Sequence, residues 1–350
     1  MCSIVGAAGP IENLSAKLRQ EFHEFMSCLF TMAELRGRDA AGFWVWRKNH
    51  YVYEKRPIPA EDLIQRSPRW KGLRFNPGSL YLMHTRAATD GDPNENMNNH
   101  PHMGDHSVMI HNGMIWGHQG VASQYGLDMK TDCDSEVLLR LAEAVDDMTE
   151  GLKFMYETAN DSHGTDSIAT AFVDRRDPSR ILLSRNSGNP CYIYPSKRFG
   201  CTFFCSTEDI FERALDMLYK TKSPKIIGAK SEDIQTHWLY SLNADGTLDK
   251  EFLVAPTTYS YYQSNYSDWD EDDTVIVEPK QYIKVLLGSQ TMSVGLSGKI
   301  ELLVENLEEE EIQEGISNLE FMETIQMPKE IEMELRGFID AKIHESKGLH

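Results

Sequence analysis

The sequence predicts an α+β protein, with antiparallel strands at its centre and helices flanking them. Three observations carry this. Short apolar runs recur between residues 167 and 205, at Ile168 to Val173, Ile181 to Leu183, Cys191 to Tyr194 and Cys201 to Cys205. Turn residues separate these runs, which reads as an antiparallel sheet rather than alternating βαβ units. Helical spacing lies to either side: residues 15–35 set Leu18, Phe22, Phe25, Met26, Leu29, Phe30 and Met32 at three- and four-residue steps. Asp132-Cys133-Asp134-Ser135 reads as the cap of another helix, with Glu136, Val137, Leu138, Leu141 and Ala144 in its first turns.

In chain order, Ile4-Val5 reads as the start of a buried strand, with Gly6 allowing close packing behind it. The helix over 15–35 ends at Arg36-Gly37-Arg38-Asp39. The run from Ala40 to Trp46 is a strand, with Tyr51-Val52-Tyr53 as its hairpin partner across Lys48-Asn49-His50. Pro57 and Pro59 open a loop and a short helical stretch, and Tyr81 to His84 is a short buried strand. Asp92 to Asp105 is rich in Asn, Gly, Pro and His and has no periodicity, so it is a long loop of the kind that often carries function. Ser107 to His111 is a strand, followed by the turn signal Asn112-Gly113. Ser206-Thr207-Glu208 caps a helix running to about Leu218, strand candidates lie near Ile226 and Ile234, and Asn243 to Gly246 is a hairpin turn.

Composition shifts after Val254. The aromatic stretch Tyr259 to Tyr266 leads into Asp268-Trp269-Asp270-Glu271-Asp272-Asp273, which reads as a linker. Beyond it lie strand candidates at Val275 to Val277 and Ile300 to Val304, a charge run at Glu308 to Glu311, and an amphipathic helix from Glu330 to His344. The expected division is therefore a main domain over 2–254, an acidic-aromatic linker over 255–273 and a small C-terminal extension over 274–350.

A net charge of −19 argues against nucleic-acid backbones and anionic membranes as direct ligands. The six cysteines form no CxxC pair and no disulfide-like spacing, which points to free buried thiols and a reduced, cytoplasmic setting. No apolar run is long enough to span a membrane, and no basic-then-apolar leader is evident.

Cys2 is the residue with the most distinctive chemistry. A small second residue permits removal of Met1, which would leave a thiol and a free α-amine on one residue. The thiolate is a strong nucleophile, and an α-amine accepts a proton near neutral pH. A nucleophile joined to its own base is the logic of N-terminal-nucleophile hydrolases.

Four stretches form a set with Cys2-Ser3-Ile4-Val5-Gly6 at its head. The second is Arg36 to Gly42. The third runs from His84-Thr85-Arg86-Ala87-Ala88-Thr89-Asp90-Gly91 through Asn99-His100-Pro101-His102 and His106 to His111-Asn112-Gly113-Met114-Ile115. The fourth is Asp132 to Val137. In kind, order and spacing the set resembles the class II glutamine amidotransferase domain, most closely the glutaminase half of glucosamine-6-phosphate synthase. The weaker stretch Ser187-Gly188-Asn189-Pro190 resembles a later turn of that family, and the likeness covers about residues 2–250.

The resemblance implies a four-layer αββα sandwich with a small acidic C-terminal extension. It implies that Cys2 attacks the side-chain amide of L-glutamine to form a γ-glutamyl thioester, with Asn112 and Gly113 as the oxyanion hole. Arg86 would bind the substrate α-carboxylate, Asp134 its α-ammonium, and Thr89 stands where the family has its glutamine-loop threonine. Arg86 also reads as a strand-end ion pair and Asp134 as a helix N-cap. No cofactor and no metal are implied: His84, His100, His102, His106 and His111 are expected to be structural hydrogen-bonding residues. Two departures concern coupling rather than chemistry: Ala87 stands where the synthase has Trp, and Asp90 where it has His. The sequence carries no P-loop and no phosphoribosyl-binding acidic-Thr stretch. The expected activity is therefore a glutaminase that hands ammonia to an acceptor on a separate synthetase. A stand-alone Cys amidohydrolase of a γ-glutamyl or related amide and a catalytically silent scaffold are the alternatives.

Overall fold

Successive residues of the first strand, β1 (Ser3–Ala8), enter two different cores. Ile4 and Ala8 point to one side and Val5 and Ala7 to the other, the period-two pattern of a strand buried on both faces. The computed structural model describes residues 2–159, 167–186 and 188–253 with their side chains, and the backbone alone of 160–163, Tyr282–Leu287 and Gln290–Gly295.

After β1 come α1 (Ala16–Ala33), the hairpin of β2 (Ala40–Arg47) and β3 (His50–Arg56), α2 (Ala60–Arg66), α3 (Pro68–Gly72) and β4 (Leu80–Arg86). Next are β5 (His102–Met103), β6 (Ser107–His111), α4 (His118–Tyr125), α5 (Ser135–Glu143) and α6 (Met148–His163). Then follow β7 (Ala169–Asp174), β8 (Arg180–Arg185), β9 (Tyr192–Ser196), β10 (Cys201–Cys205) and α7 (Glu208–Tyr219). β11 (Glu232–Asp233), β12 (Trp238–Asn243) and β13 (Leu248–Phe252) complete this part of the chain.

The strands form two antiparallel sheets, ordered β11-β9-β10-β1-β4-β2-β3 and β13-β12-β8-β7-β6-β5. Parity along each strand sorts its side chains. Ile4, Leu80, Leu82 and Phe204 of the first sheet meet Val108, Ile110, Ala171 and Leu183 of the second. Val5, Tyr81, Met83 and Phe203 turn the other way onto Phe22, Phe25, Phe30 and Phe211 of α1 and α7. Met109 and Phe172 turn onto Val137, Leu141, Leu152 and Tyr156 of α5 and α6. The result is helix on sheet on sheet on helix, the four-layer arrangement expected above.

α1 forms where its spacing says it should. Ser15 caps it by accepting from Leu18 N at 3.4 Å, and Phe22, Phe25, Met26, Leu29 and Phe30 make one buried stripe. Cys201 and Cys205 share a face with Phe203 in the helix-side core, and all six cysteines are free.

Two expectations need correction. The strands between 167 and 205 do not make one sheet: β7 and β8 belong to the second and β9 and β10 to the first. The crossing falls between Arg185 and Tyr192, and the turn residues there look like any other hairpin signal in sequence. Ile226 lies in a single 3-10 turn, Pro224–Ile227, because Pro224 lacks the N–H a strand would use. At the turn signal Asn112-Gly113 the chain bends at Gly113 and continues to a bridge between Met114 and Ser167. Finally, α4 and α6 were not anticipated.

Among the described residues no helix is long and apolar enough to cross a membrane. The chain divides into two units, Met1–Val254 and Ala255–His350. In the second, β14 (Tyr282–Leu287) and β15 (Gln290–Gly295) pair antiparallel. The acidic-aromatic linker, the strand candidates at 275–277 and 300–304, the charge run at 308–311, the helix over 330–344 and Ser187 all lie outside the described residues.

Candidate active site

The start of β1, the end of β4 and the start of β2 share one edge of the first sheet: Ser3 opposes Thr85, and Ala40 opposes Arg86. The second motif clamps that edge. Arg36 Nε donates to Cys2 O at 2.8 Å, Asp39 N donates to Arg86 O at 2.9 Å, and Ala88 N donates to Asp39 Oδ2 at 2.8 Å. Gly37 must be glycine for this to close, because a Cβ there would lie 2.3 Å from Ala87 N. On the other side, Ser206 Oγ accepts from Ile4 N at 2.9 Å. The backbone carrying Cys2 is thus fixed from three elements.

The matching edge of the second sheet is the end of β6. His84 Nε2 bonds His111 O at 2.9 Å and joins the two sheets there. Parity turns Asn112 to the same side as Val108 and Ile110, the face that meets the first sheet.

Cys2 is half-buried, and its Sγ lies 3.5 Å from Ala87 O. Burial pushes its thiol pKa up; the Ala87 backbone and the Arg86 cation oppose this, and Asp134 adds to it. Both charged residues therefore act on the sulfur.

Arg86 is 2% exposed, and its guanidinium meets only neutral oxygens. Nη1 donates to Asn99 Oδ1 at 2.8 Å, and Nη2 donates to Gly91 O at 3.0 Å and to Asp90 O. Among the described residues no carboxylate pairs with it, so it is not the strand-end ion pair weighed above. Asp134 is 4% exposed, at the N-terminus of α5. Its side chain does not cap that helix. Oδ2 accepts from Ile115 N at 2.7 Å, Oδ1 lies 3.6 Å from Cys133 Sγ, and no described cation pairs with it.

Asn112 is fixed by its backbone, which bonds Ala169 in both directions at 2.8 and 3.1 Å. Its side-chain Nδ2 is buried without a partner among the described residues. An unpaired buried donor costs about 1–3 kcal/mol, so Asn112 Nδ2 gains by meeting an acceptor. Gly113 follows, and a Cβ there would lie 1.7 Å from Ser167 O, so only glycine fits. Among the described residues nothing accepts from its N–H.

Thr89 is exposed on the loop after β4. Of the two departures, Ala87 presents its carbonyl to Cys2, and Asp90 gives its carbonyl to Arg86 while its carboxylate lies 3.5 Å from His118 Nδ1.

The histidines behave differently from one another. His84 and His111 make hydrogen bonds, the latter through Nδ1 to Ser135 Oγ at 2.8 Å. His100 stacks on His84 with ring centroids 4.0 Å apart, and neither of its nitrogens has a partner among the described residues. Burial drives the pKa of His84 down to about 3 and those of His100 and His102 well below 6.5, so the stack is neutral.

Two supports escaped the sequence reading. Asn189 Nδ2 donates to Asn112 O at 3.1 Å; the stretch that contains Asn189 was noted, but no role followed from it. Glu143 accepts from the N–H groups of Asp105, His106 and Ser107 at 3.0, 2.9 and 2.8 Å and so ties α5 to the loop before β6. Burial alone would raise its pKa; these hydrogen bonds outweigh that and lower it. No local signal marks either residue.

No family model matches the chain. It is 27% identical over 190 residues to the glutamine–fructose-6-phosphate aminotransferase (isomerizing) of Campylobacter jejuni, covering 53% of this chain and 29% of that one. It is 26% identical over 200 residues to the same enzyme of Escherichia coli, covering 55% and 30%. The chain thus spans less than a third of the length of these curated relatives. Among solved structures, the glutamine phosphoribosylpyrophosphate amidotransferase from B. subtilis matches with a TM-score of 0.53 at 16% identity, over 73% of this chain and 50% of that one. Two facing antiparallel sheets between helix layers are the N-terminal-nucleophile hydrolase fold of that structure. Within that class, the chain is homologous to the glutamine amidotransferase domain of glucosamine-6-phosphate synthase.

Proposed function

We propose that this protein is the glutaminase component of an amidotransferase, converting L-glutamine to L-glutamate and ammonia at Cys2. The observation that carries the reading is a pair of buried, opposite and unneutralised charges, Arg86 and Asp134, both acting on the Cys2 sulfur. A free amino acid presents one carboxylate and one ammonium. A buried cation that meets only neutral oxygens attracts the first, and a buried carboxylate without a cation attracts the second.

The chemistry follows from the groups present. With Met1 removed, the Cys2 α-amine is the base beside a thiol that burial keeps protonated. As sulfur attacks the side-chain amide carbon, the α-amine takes the thiol proton through a water. The carbonyl oxygen becomes an oxyanion and is met by Asn112 Nδ2 and the Gly113 N–H. The C–N bond then breaks, and the nitrogen leaves as ammonia with the relayed proton. Water attacks the γ-glutamyl thioester, releasing glutamate and restoring the thiol. Passage of the ammonia to an acceptor on a separate synthetase is the further step of this proposal. A cytoplasmic setting is part of the same proposal.

The test is glutamate release from L-glutamine by the full chain beside Cys2→Ala, with the N-terminal mass determined. Turnover that disappears in the variant, from a protein lacking Met1, supports the reading. Equal rates from both sink it.

A further inference from the structure

We propose that Lys55, acting through Asn99, is a positioning residue that aims the Arg86 guanidinium at the substrate carboxylate. The inference rests on the reading of Arg86 given above and extends it to two residues that touch no substrate.

Lys55 lies on β3, the edge strand of the first sheet, yet its ammonium is turned inward. Nζ donates to Met97 O at 3.1 Å, to Pro101 O at 3.3 Å and to Asn99 O. Three N–H donors meet three carbonyls of one loop, and among the described residues no carboxylate pairs with the amine. The same strand holds the loop a second time, since Asn96 Nδ2 donates to Lys55 O at 2.9 Å.

Asn99 is thereby fixed at its backbone, and its side chain is fixed as well. Nδ2 donates to Pro93 O at 2.7 Å and to Asn96 Oδ1 at 3.3 Å, which sets the amide so that Oδ1 faces Arg86 Nη1 at 2.8 Å. Arg86 uses three hydrogen bonds on Asn99, Asp90 and Gly91. A guanidinium has five N–H donors, so two remain for the substrate carboxylate, one on Nε and one on Nη1.

The arrangement needs a protonated Lys55. A neutral amine has two N–H groups, so one of the three carbonyls must then let go. Burial lowers the Lys55 pKa to about 8; Arg86 lowers it further, while Glu136 opposes. His84 of β4 and His102 of β5 also face it; burial keeps them neutral, and it pushes the Cys133 thiol up to about 12. Tyr53 also meets Pro101 O, and burial pushes its hydroxyl up, so of the groups named here Lys55 is the one that titrates as pH rises through about 8.

The experiment measures KM and kcat for L-glutamine from about pH 6.5 to 9.5 on the full chain, Lys55→Met, Lys55→Arg, Asn99→Ala and the double variant Lys55→Met/Asn99→Ala. Loss of a hydrogen bond to a charged group predicts a KM about tenfold higher in Lys55→Met and in Asn99→Ala, with kcat within about twofold. Because one residue acts through the other, the double variant should be no worse than the weaker single variant. The wild-type KM should climb above about pH 8 relative to Lys55→Arg, whose guanidinium stays charged. The α-amines of Cys2 and glutamine titrate in both proteins, so the difference between the two curves isolates Lys55, and the wild-type curve itself needs no altered chain.

An unchanged KM in Lys55→Met, multiplicative effects in the double variant, or superimposable pH curves would overturn the inference. If those results come while the wild type turns over glutamine, this inference fails alone. If the wild type releases no glutamate, the glutaminase reading fails and carries this one with it.

Discussion

Arg86 and Arg140 are both largely buried, and they are handled in opposite ways. Arg140, on α5, sits among carboxylates: Glu136 at 2.8 Å, Glu143 at 3.7 Å and Asp105 at 3.8 Å. Arg86 has three neutral oxygens and no carboxylate. Burying a charge is unfavourable unless it is paired, and the fold meets that demand fully at Arg140. At Arg86 it supplies hydrogen bonds but leaves the charge. Asp134 is the mirror case on the acidic side. On the proposed function, the contrast separates a charge that holds the fold from one kept for a ligand.

Four results would break or sharpen this contrast. The largest effect is expected at the oxyanion site. Asn112→Ala should lower kcat by about 10²–10³, the usual loss for one such donor, while KM for glutamine changes little. A loss confined to KM would place Asn112 outside the transition state. Next, Arg86→Gln should raise KM by about a hundredfold, the scale for removing one side of a buried charge pair. Its melting temperature should fall less than that of Arg140→Gln, which should drop by roughly 5 °C with KM unchanged. If the two arginines exchange these signatures, the comparison is wrong.

The smallest effect is the acid response of the histidine stack. His84 and His100 have pKa values below their unfolded value of 6.5, so between the two values the unfolded chain binds more protons. Stability is complete above pH 6.5 and is lost as pH falls through the folded values. Melting should therefore drop by about 5 °C between pH 7 and 5, and by less in His100→Asn. A melting curve that is flat over that window would mean that the stack is not buried and neutral.

The strands were legible because two-sided burial leaves dense apolar runs, and the hairpin of β2 and β3 because its turn lies between aromatic alternations. α6 went unread although Met148, Leu152, Met155, Tyr156 and Ala159 form one buried stripe at helical spacing. The assignment of β7 and β8 to a different sheet from β9 and β10 was not legible, because strand periodicity reports burial and not partners. Cys2, Arg86, Asn112, Gly113 and Asp134 could be named from motif order. Their supports could not. Lys55 and Glu143 act on backbone groups 36 to 46 residues away, and a backbone carbonyl or N–H leaves no mark on sequence.

The central claim is that Arg86 and Asp134 together read the two charges of a free amino acid at Cys2. Its most direct test compares kcat/KM for L-glutamine with that for glutaric acid monoamide, which keeps the amide and one carboxylate but lacks the α-ammonium. In the wild type the analogue should be at least about a hundredfold poorer, and in Asp134→Asn that preference should collapse to within about tenfold. Equal turnover of both by the wild type, or a preference that survives in Asp134→Asn, would contradict the account.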